Sequence, residues 1–270
     1  MIITFIGGGN MAAALIGGLL QQGTARGDIR VVEIAAEARA RLERDYAVAT
    51  FDSAAKAAPG SDVIVLAVKP QQMRAVAQAL APVLGQALVI TIAAGIRTAD
   101  LARWLGGARR IVRAMPNTPA LVRAGAAGLY ATPGTDAADR ERATALLGAV
   151  GETVWLERED LLDAVTAVSG SGPAYVFYFI EALEAAGCEL GLTAAQARAL
   201  ALETFLGASK LAHASNDEPA VLRERVTSKG GTTEAALKAF EEQKLAERFL
   251  RAVEAARDRG AELGAQLAKG

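Results

Sequence analysis

Ile2-Ile3-Thr4-Phe5-Ile6-Gly7-Gly8-Gly9-Asn10-Met11-Ala12 is the stretch that decides the fold. An apolar run of strand length ends in glycines, and the residues after it carry alanine and leucine at helical spacing, so the segment reads as strand, tight turn, helix. Gly7, Gly9 and Ala12 match the spacing G-x-G-x-x-A. Gly7 permits the tight turn, Gly9 lets the backbone approach a pyrophosphate, and Ala12 allows close helix packing. Asn10 and Met11 open a helix whose free N-H groups and positive dipole end favour an anion. A plain glycine turn would look the same in isolation; placement after the first strand of an alternating pattern points to a dinucleotide.

Outward from this stretch, Ile29-Ile34, Val63-Ala67, Leu88-Ile92 and Arg110-Ala114 read as further strands separated by alanine-rich helical segments. That is the pattern of an α/β, doubly wound parallel sheet. Val63-Ile64-Val65-Leu66 is apolar at every position, as a strand covered by helices on both faces should be. Alternation weakens after Pro116, and from about Glu159 only helical signals remain. Thr193 with Gln196 forms a capping box ahead of Ala197-Leu206. The expected organisation is a Rossmann-type domain over 1-158 and an all-helical domain over 159-270.

Tyr175-Val176-Phe177-Tyr178-Phe179-Ile180 is apolar all round and must be covered on every side. So small a helical domain has little surface with which to do this, which points to a second subunit; a central core helix in a monomer is the other reading. Cys188, the lone cysteine, lies in the helical-looking stretch Glu181-Leu190, reads as a small buried core residue and fits a reducing compartment.

Of 270 residues, 52% are apolar and the formal charge is -1, with no basic block, so nucleic acid and anionic membranes are not the expected partners. No apolar run approaches the roughly 20 residues a spanning helix needs. Met1 leads straight into a strand with no basic region or cleavage signal, so a cytoplasmic location is expected. No metal site is expected.

Ligands of open α/β sheets bind outside the carboxyl ends of the strands. Glu33, 24 residues after Gly9, stands at the end of the second strand, where a carboxylate accepts hydrogen bonds from the adenosine ribose. That favours NAD over NADP, unless Glu33 merely faces solvent. Ile34 and Ala35 follow it, and Arg39 comes about one helical turn later. Ala67, Val68, Lys69 and Pro70 end one strand, and Ala93, Ala94 and Gly95 another; these small residues leave room for a cofactor. Lys69 serves either to neutralise phosphate or to cap a surface turn.

Three more segments stand apart: Met115-Pro116-Asn117-Thr118-Pro119, Ser169-Gly170-Ser171-Gly172-Pro173-Ala174-Tyr175 and Val226-Thr227-Ser228-Lys229-Gly230-Gly231-Thr232-Thr233. The second reads as a helix start with Pro173 near its first position, and the third as another. Two hydroxyl-rich helix N-termini suit a carboxylate, although capping alone also explains them. Together GGGNMA, AVKP, RAMPNTP, AVSGSGPAY and VTSKGGTT occur in an order and spacing that resemble the pyrroline-5-carboxylate reductases, over nearly the whole chain. The resemblance implies a Rossmann domain for NADP or NAD in reduced form. It also implies a helical domain paired with its twin in an intertwined dimer, often assembled further into decamers, and substrate held near the dimer interface.

Carried over by position, the resemblance makes Thr233 the threonine that hydrogen-bonds the ring nitrogen. Ser228 and the Gly230, Gly231 and Thr232 backbone become a carboxylate cradle, with Asn117, Ser171 and Gly172 also on the substrate side. The chain departs from the family's pattern where Lys229 replaces a frequent proline and where Arg225 and Ala54 each replace a frequent asparagine. Reduction of a protonated imine needs positioning more than a strong acid, which accords with the single histidine, His213, lying far from every glycine motif in a surface or packing role. Two other readings compete. One is a β-hydroxyacid dehydrogenase or other imine reductase, for which Lys210 or Lys229 would supply a base; the other is a non-enzymatic dinucleotide sensor.

Overall fold

The computed structural model describes residues 1-269. The chain forms two compact units, one of Met1-Ser171 with the residues from Ala256 onward, the other of Gly172-Ala255.

The first unit is built on one eight-stranded sheet. β1 (Ile3-Ile6), β2 (Ile29-Val32), β3 (Ala49-Phe51), β4 (Val63-Leu66), β5 (Leu88-Thr91) and β6 (Ile111-Met115) run parallel in the order 3-2-1-4-5-6. Helices α1 (Asn10-Gln21), α2 (Ala36-Tyr46), α3 (Ala54-Ala57), α4 (Met73-Leu80) and α5 (Thr98-Trp104) make the connections. Every residue of β1, β4 and β5 is buried, as the apolar runs predict. Two separate apolar clusters, one containing Phe5, Leu15 and Ile16 and the other Ile64, Leu66 and Met73, fill the two sides. The expected strands are present, each trimmed or shifted by a residue or two.

Two strands beyond those expected extend this parallel sheet, and both run the other way. β7 (Gly125-Ala131) pairs antiparallel with β6, and β8 (Gly151-Trp155) pairs parallel with β7 through the crossover helix α6 (Ala137-Gly148). The link from Met115 to Gly125 holds only a 3-10 turn, Thr118-Val122. That is shorter than the dozen or so residues a parallel crossover requires, so the chain turns back. β7 and β8 escaped the sequence reading because Gly125-Ala126-Ala127-Gly128 has little strand propensity and β8 alternates between half-buried and exposed residues. Their glycines are steric necessities. A Cβ on Gly151 would lie 1.9 Å from Gly125 O, and one on Gly128 would lie 2.7 Å from Val165.

At the opposite end of the sheet from the glycine turn, Asp139 of α6 is fully buried and paired with Arg110 at 2.6 and 2.8 Å and with Arg142 at 3.0 Å. Hydrogen bonds from the Arg110 guanidinium, opposed by burial and helped by Arg142, hold the Asp139 carboxyl below the ordinary carboxylate value.

From Leu161 onward every described element is helical: α7 (Leu161-Val165), a π-helical turn (Thr166-Gly170), α8 (Gly172-Glu189), α9 (Ala194-Ala214), α10 (Pro219-Arg225), α11 (Thr232-Glu242) and α12 (Leu245-Lys269). The Thr193-Gln196 capping box is formed. Within the second unit α8 packs on α9, and Tyr175 meets Phe249 edge-on at 5.7 Å. No residue of α8 is buried, and Phe177 and Tyr178 are about two-thirds exposed. Cys188, expected in the core, is exposed as well, because among the described residues of the second unit no element lies over that side of α8. A monomer core helix is thereby ruled out. No described helix is long and apolar enough to cross a membrane.

Candidate active site

The order 3-2-1-4-5-6 reverses direction between β1 and β4, and the glycine turn sits at that switch, outside the carboxyl ends of both strands. Gly7 has φ +101°, and a Cβ there would lie 2.7 Å from Ala67 O, so neither the turn nor the neighbouring strand end admits a side chain. A Cβ on Gly9 would meet nothing within 4 Å. Gly9 is the N-cap of α1 and supplies no side-chain acceptor for the first turn, so the amides opening the helix are left for a ligand. Asn10 is exposed and Met11 half-buried beside this open face, while buried Ala12 packs α1 down. The residues present thus fit a dinucleotide pyrophosphate.

Glu33 is half-buried and does not point into solvent. Its Oε2 accepts from Gly8 N at 3.0 Å and its Oε1 from Ala35 N at 3.0 Å. Arg39 donates to the carbonyls of Glu33 at 2.7 Å and Ile34 at 3.0 Å, so the nearby cation is tied to backbone. Ala67 and Val68 line the end of β4 half-buried, and Lys69 is exposed at the start of the 3-10 turn Pro70-Gln72. Ala93 is buried and Ala94 exposed beyond β5. Gly95 there is approached by the end of α12, Gly264 and Leu267 among the atoms that a Cβ would meet within 4 Å.

The two segments expected at the substrate come out differently. α8 begins at Gly172 with Pro173 second, as read. No capping turn precedes it, however. The Ser171 N-H closes a π-helical turn on Thr166 O at 2.8 Å, and the Ser169 hydroxyl donates back to Val165 O at 3.1 Å. Asn117 donates to Ser169 O at 3.0 Å and accepts from Ala126 N at 2.8 Å, so both ends of its amide are engaged. Sequence reasoning did not find this role, because nothing in RAMPNTP says where residue 169 will lie.

In the second unit, α11 starts after a turn in which Gly230 takes φ +73°. The Gly231 N-H donates to Ser228 O at 3.0 Å, and the Gly230 N-H to Glu234 Oε2 at 2.6 Å. Those two amides are therefore used within the turn. Among the described residues the hydroxyls of Ser228, Thr232 and Thr233 have no intramolecular partner, and neither do the amides of Thr232 and Thr233. They form a donor set at the positive end of an eleven-residue helix. The alternative bases Lys210 and Lys229 are both exposed, as is His213.

Residues 159-263 match the family profile for pyrroline-5-carboxylate reductase dimerisation, and residues 2-95 match that for coenzyme F420-dependent NADP oxidoreductases. The chain is 52% identical to a pyrroline-5-carboxylate reductase of Pseudomonas aeruginosa, covering 98% of this chain and 97% of that one. It is 44% identical to the Haemophilus influenzae enzyme of the same name, over 97% of each. Among solved structures, a pyrroline-5-carboxylate reductase from Coxiella burnetii superposes with a TM-score of 0.94 at 42% identity, over 97% of both chains. The Plasmodium falciparum pyrroline carboxylate reductase with NADP bound gives 0.85 at 28%, over 98% of both. The uncovered face of α8 lies inside the dimerisation match, so this chain assembles with copies of itself. With the glycine turn, the helical region and near-complete coverage by such relatives in agreement, the chain belongs to the pyrroline-5-carboxylate reductase family.

Proposed function

We propose that this protein reduces 1-pyrroline-5-carboxylate to L-proline with NADH or NADPH, the last step of proline biosynthesis. The observation that carries the reading is the donor set at the start of α11. Three hydroxyls and two amides without partners among the described residues match an anionic carboxylate and a ring nitrogen. Ser228 and the Thr232 amide hold the carboxylate, with Gly230 and Gly231 shaping the turn. The Thr233 hydroxyl bonds the ring nitrogen and fixes which face of the ring is presented. Ser171 and Gly172 bound the substrate from the start of α8, and Asn117 acts on that side as well.

With its pyrophosphate held at the glycine turn, a bound reduced dinucleotide would supply the hydride. The imine carbon accepts that hydride while the C=N π pair moves to nitrogen, whose proton comes with the protonated imine or through Thr233 from water. The residues contribute orientation and exclusion of alternative poses rather than strong acid catalysis. Gly7, Gly9, Asn10 and Met11 present the pyrophosphate face. Ala67, Val68, Lys69 and Pro70, with Ala93 and Ala94, leave the space beyond β4 and β5. Glu33, a carboxylate held at the end of β2, opposes a 2'-phosphate and favours NADH.

The division of labour follows residues 1-158 for the cofactor and 159-270 for dimerisation and substrate. The enzyme is a cytoplasmic homodimer that assembles further into decamers. Oxidation of NADH and of NADPH, followed separately with pyrroline-5-carboxylate as acceptor, tests the reading. Turnover with either supports it, and binding of both without turnover of the imine refutes it.

A further inference from the structure

The chain ahead of α8 is widened by one residue, and something must hold it so. Ser171 N bonds five residues back, to Thr166 O. Such π turns are rare, and they occur frequently at functional sites. The hydroxyls on the turn bond locally, Thr166 Oγ1 to Leu162 O at 2.7 Å and Ser169 Oγ to Val165 O at 3.1 Å, so they do not tie it to the sheet.

Asn117 does. Its Nδ2 donates to Ser169 O at 3.0 Å while its Oδ1 accepts from Ala126 N at 2.8 Å, at the start of β7. One partner is a carbonyl and the other an N-H, so the amide has a single workable orientation. The Ser169 carbonyl is available to it because the residue four positions on is Pro173, which has no N-H to offer. The same stretch of chain braces the turn twice more. A Cβ on Gly170 would come within 2.9 Å of Met115. Buried Arg113 donates to Glu159 Oε1 at 3.0 Å, and that carboxylate also takes the Thr98 N-H and hydroxyl at 2.7 Å each, anchoring the chain just before α7.

We infer that Asn117 is a positioning residue for the imine reduction, which fixes the Ser169-Ser171 backbone through the Ser169 carbonyl so that Ser171 and Gly172 meet the substrate in one geometry. The inference rests on the functional reading above, and gives Asn117 a role that needs no contact with the substrate.

The test compares the full-length enzyme with Asn117→Asp, Pro173→Ala and the double variant, by steady-state kinetics with pyrroline-5-carboxylate and by amide hydrogen exchange over Thr166-Ser171. Asn117→Asp keeps the acceptor for Ala126 N and sets acceptor against acceptor at Ser169. The expected result is a kcat lower by roughly 10- to 100-fold, from displacement of the positioned groups, with the KM for cofactor little changed. Exchange at the Ser171 amide accelerates alongside it. Pro173→Ala offers Ser169 O a competing N-H, so the double variant should be no slower than the slower single one. Effects that multiply in the double variant overturn the inference, as does Asn117→Asp with wild-type kcat and exchange. A raised KM for the imine with kcat and exchange unchanged also overturns it, in favour of direct contact. A wild-type enzyme that does not turn over the imine refutes the functional reading and the positioning role with it, whereas failure of the inference alone leaves wild-type turnover intact and the variants matching it.

Discussion

Glu33 latches Gly8: the carboxylate at the end of β2 accepts the Gly8 N-H at 3.0 Å and, through its other oxygen, the Ala35 N-H at 3.0 Å. One side chain thereby joins the glycine turn to the β2-α2 connection, with a formal negative charge fixed beside both. Arg39 does not offset that charge from a free position, since it is tied to two backbone carbonyls.

Cofactor discrimination should follow from that charge. NADH is expected to give the higher kcat/KM, and Glu33→Gln, which keeps an acceptor for one amide but removes the charge, should narrow the preference by about tenfold. Parallel kcat/KM values for the two cofactors check this. An unchanged ratio would make Glu33 a latch only.

Gly7 and Gly9 should fail differently when changed to alanine. Gly7→Ala meets both a positive φ and the Ala67 carbonyl, and should lower stability by about 1-3 kcal/mol. Gly9→Ala meets open space, so its melting temperature should stay close to wild type while its cofactor Kd rises. Thermal melts and cofactor titration separate the two, and a destabilised Gly9→Ala would contradict the geometry.

Thr233→Ala removes the hydroxyl assigned to the ring nitrogen without touching the glycine turn. Turnover should fall by roughly 100-fold, within the range for a group that assists proton transfer and orientation, with the cofactor Kd unchanged. Single-turnover rates and a cofactor titration read these apart; wild-type turnover removes Thr233 from the chemistry.

Asp139 should govern acid stability. Asp139→Ala leaves Arg110 and Arg142 without their buried partner and should cost about 1-3 kcal/mol, since both guanidiniums keep contact with solvent. Because the folded carboxyl lies below its unfolded value of about 3.9, its contribution is complete above that value and lost as pH falls through the folded one. Wild type should therefore lose stability on acidification below about pH 4 more steeply than Asp139→Ala, as denaturant titrations at stepped pH would show.

Phe177, about two-thirds exposed on α8, should lie in the self-association face. Phe177→Glu would place a charge there and yield monomers by light scattering, with the sheet unit still folded and binding cofactor. A variant of unchanged mass would move the interface elsewhere on the helical unit.

Local chemistry by itself determined the glycine turn, the parallel strands β1, β2, β4, β5 and β6, the capping box at Thr193 and the need of Tyr175-Ile180 for cover on every side, whether from its own chain or from a partner. Each of these is written within about a dozen consecutive residues, as apolar periodicity, a required positive φ or a side chain that bonds its own neighbours. Tertiary structure decided the rest. The reversal at β7 depends on a connection too short for a crossover, and β7 and β8 are strands because the sheet edge pairs them despite glycine, alanine and half-exposed residues. Likewise, the Ser169-Ser171 segment shows hydroxyls and glycines that look like a cap. Whether those groups cap, bond backward or wait for a ligand depends on Asn117, 52 residues earlier, whose reach is a property of the folded chain alone.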